Sequence, residues 1–253
     1  MIDIENAKRE FDKYVLKFNP KEGRIKLKID HIKRVAKMSK KIAEKLSLSE
    51  EQIKLAQIIG IFHDIGRFKQ AELYDTFSDK DSINHAQLSV KVLFEDNLIG
   101  KFNIEDRYKG IIKVAILNHN KSEIDKGLNV EEKLFAKIIR DADKLDIYYT
   151  ICNYDFESIF WYKDFDCIQI SENIMNQFKD KHCIQYKDIK TNADQIAIFY
   201  AYIYDLYFEF SLNYLKTHCY LDEFAIKVKE NFKSDIVKKQ TDEILKISKE
   251  YLK

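Results

Sequence analysis

One proline and six glycines in 253 residues leave this chain few places to break a helix. Strand-type alternation is nearly as scarce, because almost every apolar pattern repeats at the helical period. An all-α fold is therefore expected. Charge of one sign is also missing: 43 basic and 42 acidic residues leave a formal net charge of +1. No basic surplus supports a nucleic-acid track, which makes a polymer substrate the poorer fit. Long hydrophobic runs are absent too. The longest uncharged apolar stretch, Ile196 to Tyr204, has nine residues and is too short to span a bilayer. The N-terminus is charged from Asp3 onward, so no signal peptide is expected. Cys152, Cys167, Cys183 and Cys219 show no Cys-x-x-Cys spacing, which argues against a zinc knuckle. Without an export signal they are expected to be reduced thiols of a cytoplasmic protein.

What is present is a chain with 45% hydrophobic and 34% charged residues, enough for a globule with a sizeable core. Ile4, Ala7, Phe11, Tyr14, Val15 and Phe18 form a stripe on a first helix, ended by Asn19-Pro20-Lys21-Glu22-Gly23. Arg24 to Ile29 reads as an extended connector, with Asp30 capping a helix that His31 opens. Ser49-Glu50-Glu51-Gln52 is a capping-box pattern starting the next helix, and Gly66 is its expected stop. Residues 69 to 81 read as loop. Asn84-His85-Ala86-Gln87 and Asn129-Val130-Glu131-Glu132 cap further helices, and a helix led by residues 103 to 106 runs to Asn118-His119-Asn120. Past Asp146 the composition shifts to aromatics and cysteines, with helical patterns over 155–162, 171–180, 193–217, 220–232 and 234–251. The expected organisation is a domain over 1–150, including the helix within 1–18, and a helical extension over 151–253 packed in the same globule. Phe199, Tyr200, Tyr202, Tyr204, Tyr207, Phe208 and Phe210 could floor a nucleobase pocket, although core packing is the commoner role of such a cluster. The lysine-rich final helix can pack on the body or on a second copy, which leaves a homodimer open.

The chemistry concentrates in Ile58-Ile59-Gly60-Ile61-Phe62-His63-Asp64-Ile65-Gly66-Arg67-Phe68. An apolar helical run here carries a histidine and an aspartate into the interior. Burying both without partners costs several kcal/mol. A metal ion, which takes neutral imidazole and ionised carboxylate together, would compensate. Taken alone, the pair fits a plain helix end better than a metal site. The rest of the histidine map changes the balance. His31, His63-Asp64, His85 and His119 each lie near a helix terminus, and Asp143 follows in Arg140-Asp141-Ala142-Asp143-Lys144-Leu145-Asp146.

This ordered set, embedded in His-Asp-Ile-Gly-Arg-Phe, Ser-Ile-Asn-His-Ala, Leu-Asn-His-Asn-Lys and Asp-Ala-Asp-Lys-Leu-Asp, resembles the HD superfamily of metal-dependent phosphohydrolases. The resemblance covers roughly residues 25 to 150. It implies a helical HD bundle with extra C-terminal helices. It also implies a metal site built from His31, His63, Asp64 and Asp143, extended by His85 and His119 to hold a second ion with Asp64 as bridge. One or two divalent transition ions are implied: iron, manganese, cobalt, nickel or zinc suit the mixed donors better than magnesium or calcium. A metal-activated hydroxide would attack the phosphorus of a small phosphate ester, a nucleotide above all. Asp64, Arg67 and Lys144 are the candidate catalytic residues, and Arg67, Asn118 and Asn120 the candidate substrate contacts.

Two subfamilies are set apart by departures. The cyclic-di-GMP phosphodiesterases carry Gly-Tyr-Pro and a paired histidine, whereas here the one proline is Pro20 and Asn118 precedes His119. The guanosine alarmone hydrolases resemble His-Asp followed by Glu-Asp, where this chain has Gly66-Arg67-Phe68-Lys69. Two rival readings stand beside the leading one: a mononuclear, 5'-nucleotidase-like enzyme, and a metal-holding interaction module without turnover.

Overall fold

The computed structural model describes residues 2–160, 165–181 and 184–253; His182, Cys183 and the end of the pattern expected over 155–162 lie outside the described residues. The chain resolves into two compact units, Met1–Asp146 and Ile147–Lys253. Both are helical, and no strand occurs among the described residues. None of the described helices is long and apolar enough to cross a membrane.

Unit one is built from α1 (Ile4–Val15), α2 (Gly23–Lys45), α3 (Glu50–Phe62), α4 (Gly66–Tyr74), α5 (His85–Val90), α6 (Asp106–His119) and the first part of α7 (Val130–Asn153). Helix α2 corrects the expected connector over Arg24 to Ile29. It starts one residue after Glu22, whose carboxylate oxygens accept from Arg24 N at 3.1 Å and Ile25 N at 2.9 Å. Ile25, Ile29, Ile32 and Ala36 then form one buried stripe at helical spacing. Asp30 is no cap but bonds Lys26 one turn back, and His31 stands in the third turn rather than the first.

Helix α3 begins with the expected capping box between Ser49 and Gln52. It approaches α2 closely: a Cβ on Gly60 would stand 2.7 Å from the Cα of Ala36, so only glycine fits the crossing. That crossing fixes the end of α3 against the middle of α2. Ile32, Val35, Ile42, Leu55, Ile58, Ile59 and Phe62 seal it as core. The Phe62 ring meets Phe102 edge-on at 4.6 Å between centroids. Truncating a core aromatic of this kind costs about 3–5 kcal/mol.

Gly66 differs from the expected stop. The chain turns at His63-Asp64-Ile65 and Gly66 opens α4 without a left-handed backbone. A Cβ there would stand 2.4 Å from Ser89 N and 2.7 Å from Leu88 C, so Gly66 is needed for close contact with α5. The loop expected over 69–81 is helical as far as Tyr74, as the strong helix formers Lys69-Gln70-Ala71-Glu72-Leu73 favour. Asp75, left-handed at φ 50°, ends it. Helix α7 has the expected cap, with Asn129 Oδ1 accepting from Glu132 N at 2.9 Å and Glu132 Oε2 from Asn129 N at 3.0 Å. It continues to Asn153, so Asp143 lies inside a helix rather than at its end.

Unit two holds the last turns of α7, then α8 (Glu172–Lys179), α9 (Asn192–Ala201), α10 (Glu209–Thr217), α11 (Tyr220–Asn231) and α12 (Asp235–Tyr251). The helix expected over 193–217 is broken. A 3-10 turn over Tyr202–Asp205 and extended backbone at Leu206 and Phe208 separate α9 from α10, where aromatics of modest helix propensity crowd together. Within 155–162 the described residues form only a short 3-10 turn, Phe156–Ser158. Phe199 and Tyr200 do not floor a pocket. Both are buried against Phe224 at 5.7 and 5.2 Å, and the Tyr200 hydroxyl donates to Leu221 O at 2.9 Å. Cys152 and Cys219 are free thiols.

Candidate metal centre

Six side chains from α2, the α3–α4 turn, α5, α6 and α7 converge in unit one. His31 Nε2 and His63 Nε2 lie 3.3 Å apart. Asp64 Oδ2 stands 3.5 Å from His31 Nε2 and 3.7 Å from His63 Nε2. Asp143 Oδ1 stands 3.2 and 3.7 Å from the same two nitrogens. The other oxygen of Asp64 faces a second pair: Oδ1 is 3.4 Å from His85 Nε2 and 3.7 Å from His119 Nε2, themselves 3.0 Å apart. Donors about 2.0–2.2 Å from one ion sit roughly 3–3.5 Å from each other. Both groups have that spacing, with Asp64 divided between them.

The outward ring nitrogens are all occupied. His31 Nδ1 lies 2.7 Å from Asp146 Oδ2, His63 Nδ1 2.8 Å from Gly60 O, His85 Nδ1 2.6 Å from Asp79 Oδ2 and His119 Nδ1 2.7 Å from Ile116 O. Each acceptor requires Nδ1 to carry the proton, which leaves the Nε2 lone pairs to face inward. Asp146 is held by Arg34, whose Nε and Nη2 donate to its two oxygens at 2.6 and 3.0 Å. Asp79 also accepts from Gln70 Nε2 and Arg67 Nη1, both at 3.0 Å.

Electrostatics follow from this crowding. Burial and the neighbouring Lys28 oppose charge on His31, but hydrogen bonds to Asp143, Asp146 and Asp64 outweigh them and raise its pKa to about 10. Burial lowers His63, and burial with Arg67 pushes His85 down to about 4. Burial would raise Asp64, yet Lys28 and the surrounding histidines hold it well below the usual carboxylate range. A protonated His31 and a divalent cation are alternative ways to balance these carboxylates. The donor set fits a metal on two further counts. Asp64 Oδ1 is buried without a hydrogen-bond partner, and buried imidazole and carboxylate donors in this spacing could hold a metal ion.

The remaining candidates divide. Arg67 reaches the centre: Nε, itself without a hydrogen bond, is 3.6 Å from Asp64 Oδ1, while Nη1 donates to Gln70, Phe77 O and Asp79. Asn120 Nδ2 lies 3.4 Å from Asp79 Oδ2 and 3.5 Å from His85 Nδ1. Lys144 is buried beside Asp143 in sequence. Asn118 is not brought into the group. Its Nδ2 donates to Val114 O at 3.0 Å and its Oδ1 accepts from Asp125 N at 2.9 Å, so it shapes the loop after α6. Buried Arg140 fixes that same loop, donating to the carbonyls of Asn118, Lys121 and Ser122 at 2.7, 2.7 and 3.3 Å. Sequence reasoning missed Lys28, Gln70, Asp79 and Arg34, and quoted Asp146 without giving it a role. The available signals were the three-residue steps Lys28–His31–Arg34 and Asp143–Asp146 on single helix faces.

Residues 29–148 match the family model of the HD domain, a stretch that contains all six converging side chains. Over those residues the chain therefore carries an HD domain. No curated protein and no solved structure is significantly similar to the chain.

Proposed function

We propose that this protein is a phosphohydrolase with a dinuclear centre that cleaves a small phosphate ester, with nucleotides the foremost class. One observation carries the reading: four buried imidazoles, each with Nδ1 committed as a donor, aim Nε2 at the two oxygens of one carboxylate. Divalent transition ions such as iron, manganese, cobalt, nickel or zinc, when bound there, acidify water and polarise phosphoryl oxygens. His31, His63, Asp64 and Asp143 would hold one, and Asp64, His85 and His119 the other.

The chain's own residues supply the rest. Asp146, Asp79 and the carbonyls of Gly60 and Ile116 keep the four rings in one orientation. Arg67 Nε, buried and without a hydrogen bond, offers a donor to charge gathering on a transferring phosphoryl group. Asn120, 3.5 Å from His85 Nδ1, would orient a substrate there, and Lys144 would add positive charge beside Asp143. A mononuclear enzyme would leave the convergence of His85, His119 and Asp64 Oδ1 without a purpose.

Metal content per purified chain is the first measurement, with two ions expected and one ion favouring the mononuclear enzyme. A phosphate-release screen over nucleotides, dinucleotides and sugar phosphates, with each metal supplied, is the second. Silence across every ester and metal would favour the module without turnover.

A further inference from the structure

Lys28 lies one turn before His31 on α2 and is not among the residues of the HD motif. Its ammonium stands 2.8 Å from Asp64 Oδ2, and its side chain keeps 15% of its exposure. On the other oxygen of the same carboxylate, Arg67 Nε lies 3.6 Å from Oδ1. The two cations also share an aromatic neighbour: Lys28 Nζ is 5.9 Å and Arg67 Cζ 6.0 Å from the centroid of the Phe77 ring. The two cations thus meet different oxygens of Asp64 and share the Phe77 ring.

Their hydrogen-bonding states differ. Arg67 spends Nη1 on three acceptors, Gln70, Phe77 O and Asp79. Among the described residues Lys28 makes one hydrogen bond, to Asp64, although an ammonium carries three N–H donors. A long side chain ordered at a nearly buried centre, with donors left over, is suited to a further anionic ligand. With divalent ions set against Asp64 and Asp143, positive charge stays in excess there, and a phosphoryl oxyanion has the charge and the acceptors to use it.

Resting on the dinuclear reading above, we propose that Lys28 is a substrate-binding residue whose spare N–H donors take an oxygen of the phosphoryl group. The phosphoryl group is thus gripped from the Oδ2 side of Asp64 by Lys28 and from the Oδ1 side by Arg67. A compact ammonium on a flexible stem meets one oxygen as a point charge, whereas the guanidinium presents a fixed edge.

Inorganic phosphate is the probe, titrated calorimetrically into metal-loaded wild type, Lys28→Met and Lys28→Arg, with metal content measured on each. Lys28→Met is expected to keep its metal and lose about tenfold or more in phosphate affinity, the scale of a hydrogen bond to a charged group. Lys28→Arg is expected to recover most of that loss. Phosphate affinity unchanged in Lys28→Met would overturn the proposal. So would loss of metal from that variant, which would make Lys28 a strut for Asp64. A metal-loaded wild type that ignores phosphate would overturn it while leaving the metal centre standing. A wild type that takes up no metal would bring down the dinuclear reading itself, and this proposal with it.

Discussion

The two units bury polar side chains in contrasting ways. In unit two buried polar groups are met one by one, the Tyr204 and Ser211 hydroxyls excepted: Asp194 accepts from the backbone N–H groups of Ser171, Lys190 and Thr191, and Thr241 and Ser248 bond carbonyls one turn back. Lys227 donates to the carbonyls of Ile151, Cys152 and Tyr154 at the end of α7. In unit one the second nitrogens of four histidines are set against one another and against a shared carboxylate, with one oxygen of Asp64 left without a hydrogen bond. Satisfied polar burial holds a fold in register. Convergent, mutually unsatisfied burial costs stability and persists where a ligand completes it.

The sharpest way to break this contrast is Asp64→Ala. It removes the one carboxylate common to both groups, so both ions should be lost or weakened by on the order of a hundredfold or more, and hydrolysis should vanish. Metal analysis beside circular dichroism checks it. Full metal occupancy in the variant would show that Asp64 is ordinary buried polarity after all. Asp194→Ala is the counterpart in unit two. Stripping the acceptor from three backbone N–H groups should cost about 2–4 kcal/mol in urea unfolding and leave metal content unchanged. A change in metal content there would blur the distinction.

The smallest effect sharpens the picture of unit two as a structural core. Burial holds the Tyr200 hydroxyl well above its ordinary pKa of 10.0. The folded chain keeps that proton while the unfolded chain gives it up, so above about pH 10 the unfolded state binds fewer protons and stability falls as pH rises. Tyr200→Phe should flatten this alkaline decline, at a cost near neutrality of about 1 kcal/mol from the lost bond to Leu221 O. Urea midpoints across pH 8 to 11 measure both.

The converging positions could be read from the chain because histidines are few in it, and His31, His63, Asp64, His85, His119 and Asp143 advertise themselves by residue type and order. The caps at Ser49 and Asn129 were equally plain, since their partners lie three residues away. The residues that hold these side chains in place were hidden for a different reason. Asp79 reaches His85 from a loop organised by Gln70 and Arg67, an arrangement set by tertiary contacts. Lys28 was obscured by a local error: taking Asp30 as a cap moved the start of α2 past it, while the capping carboxylate belongs to Glu22, a residue type less favoured there. Gly66 looked like a terminator because its need for space comes from α5, more than twenty residues away.

The three carbonyls gathered by Arg140 have a consequence for how this chain can vary. A guanidinium is a rigid planar fork, so it cannot follow a backbone that grows. One residue inserted between His119 and Ser122 would carry at least one carbonyl out of reach and strand an N–H of a buried cation. The segment leaving His119 is thereby held to a single length. The exposed stretch around Lys126 and Gly127, where nothing crowds the backbone, is free to lengthen.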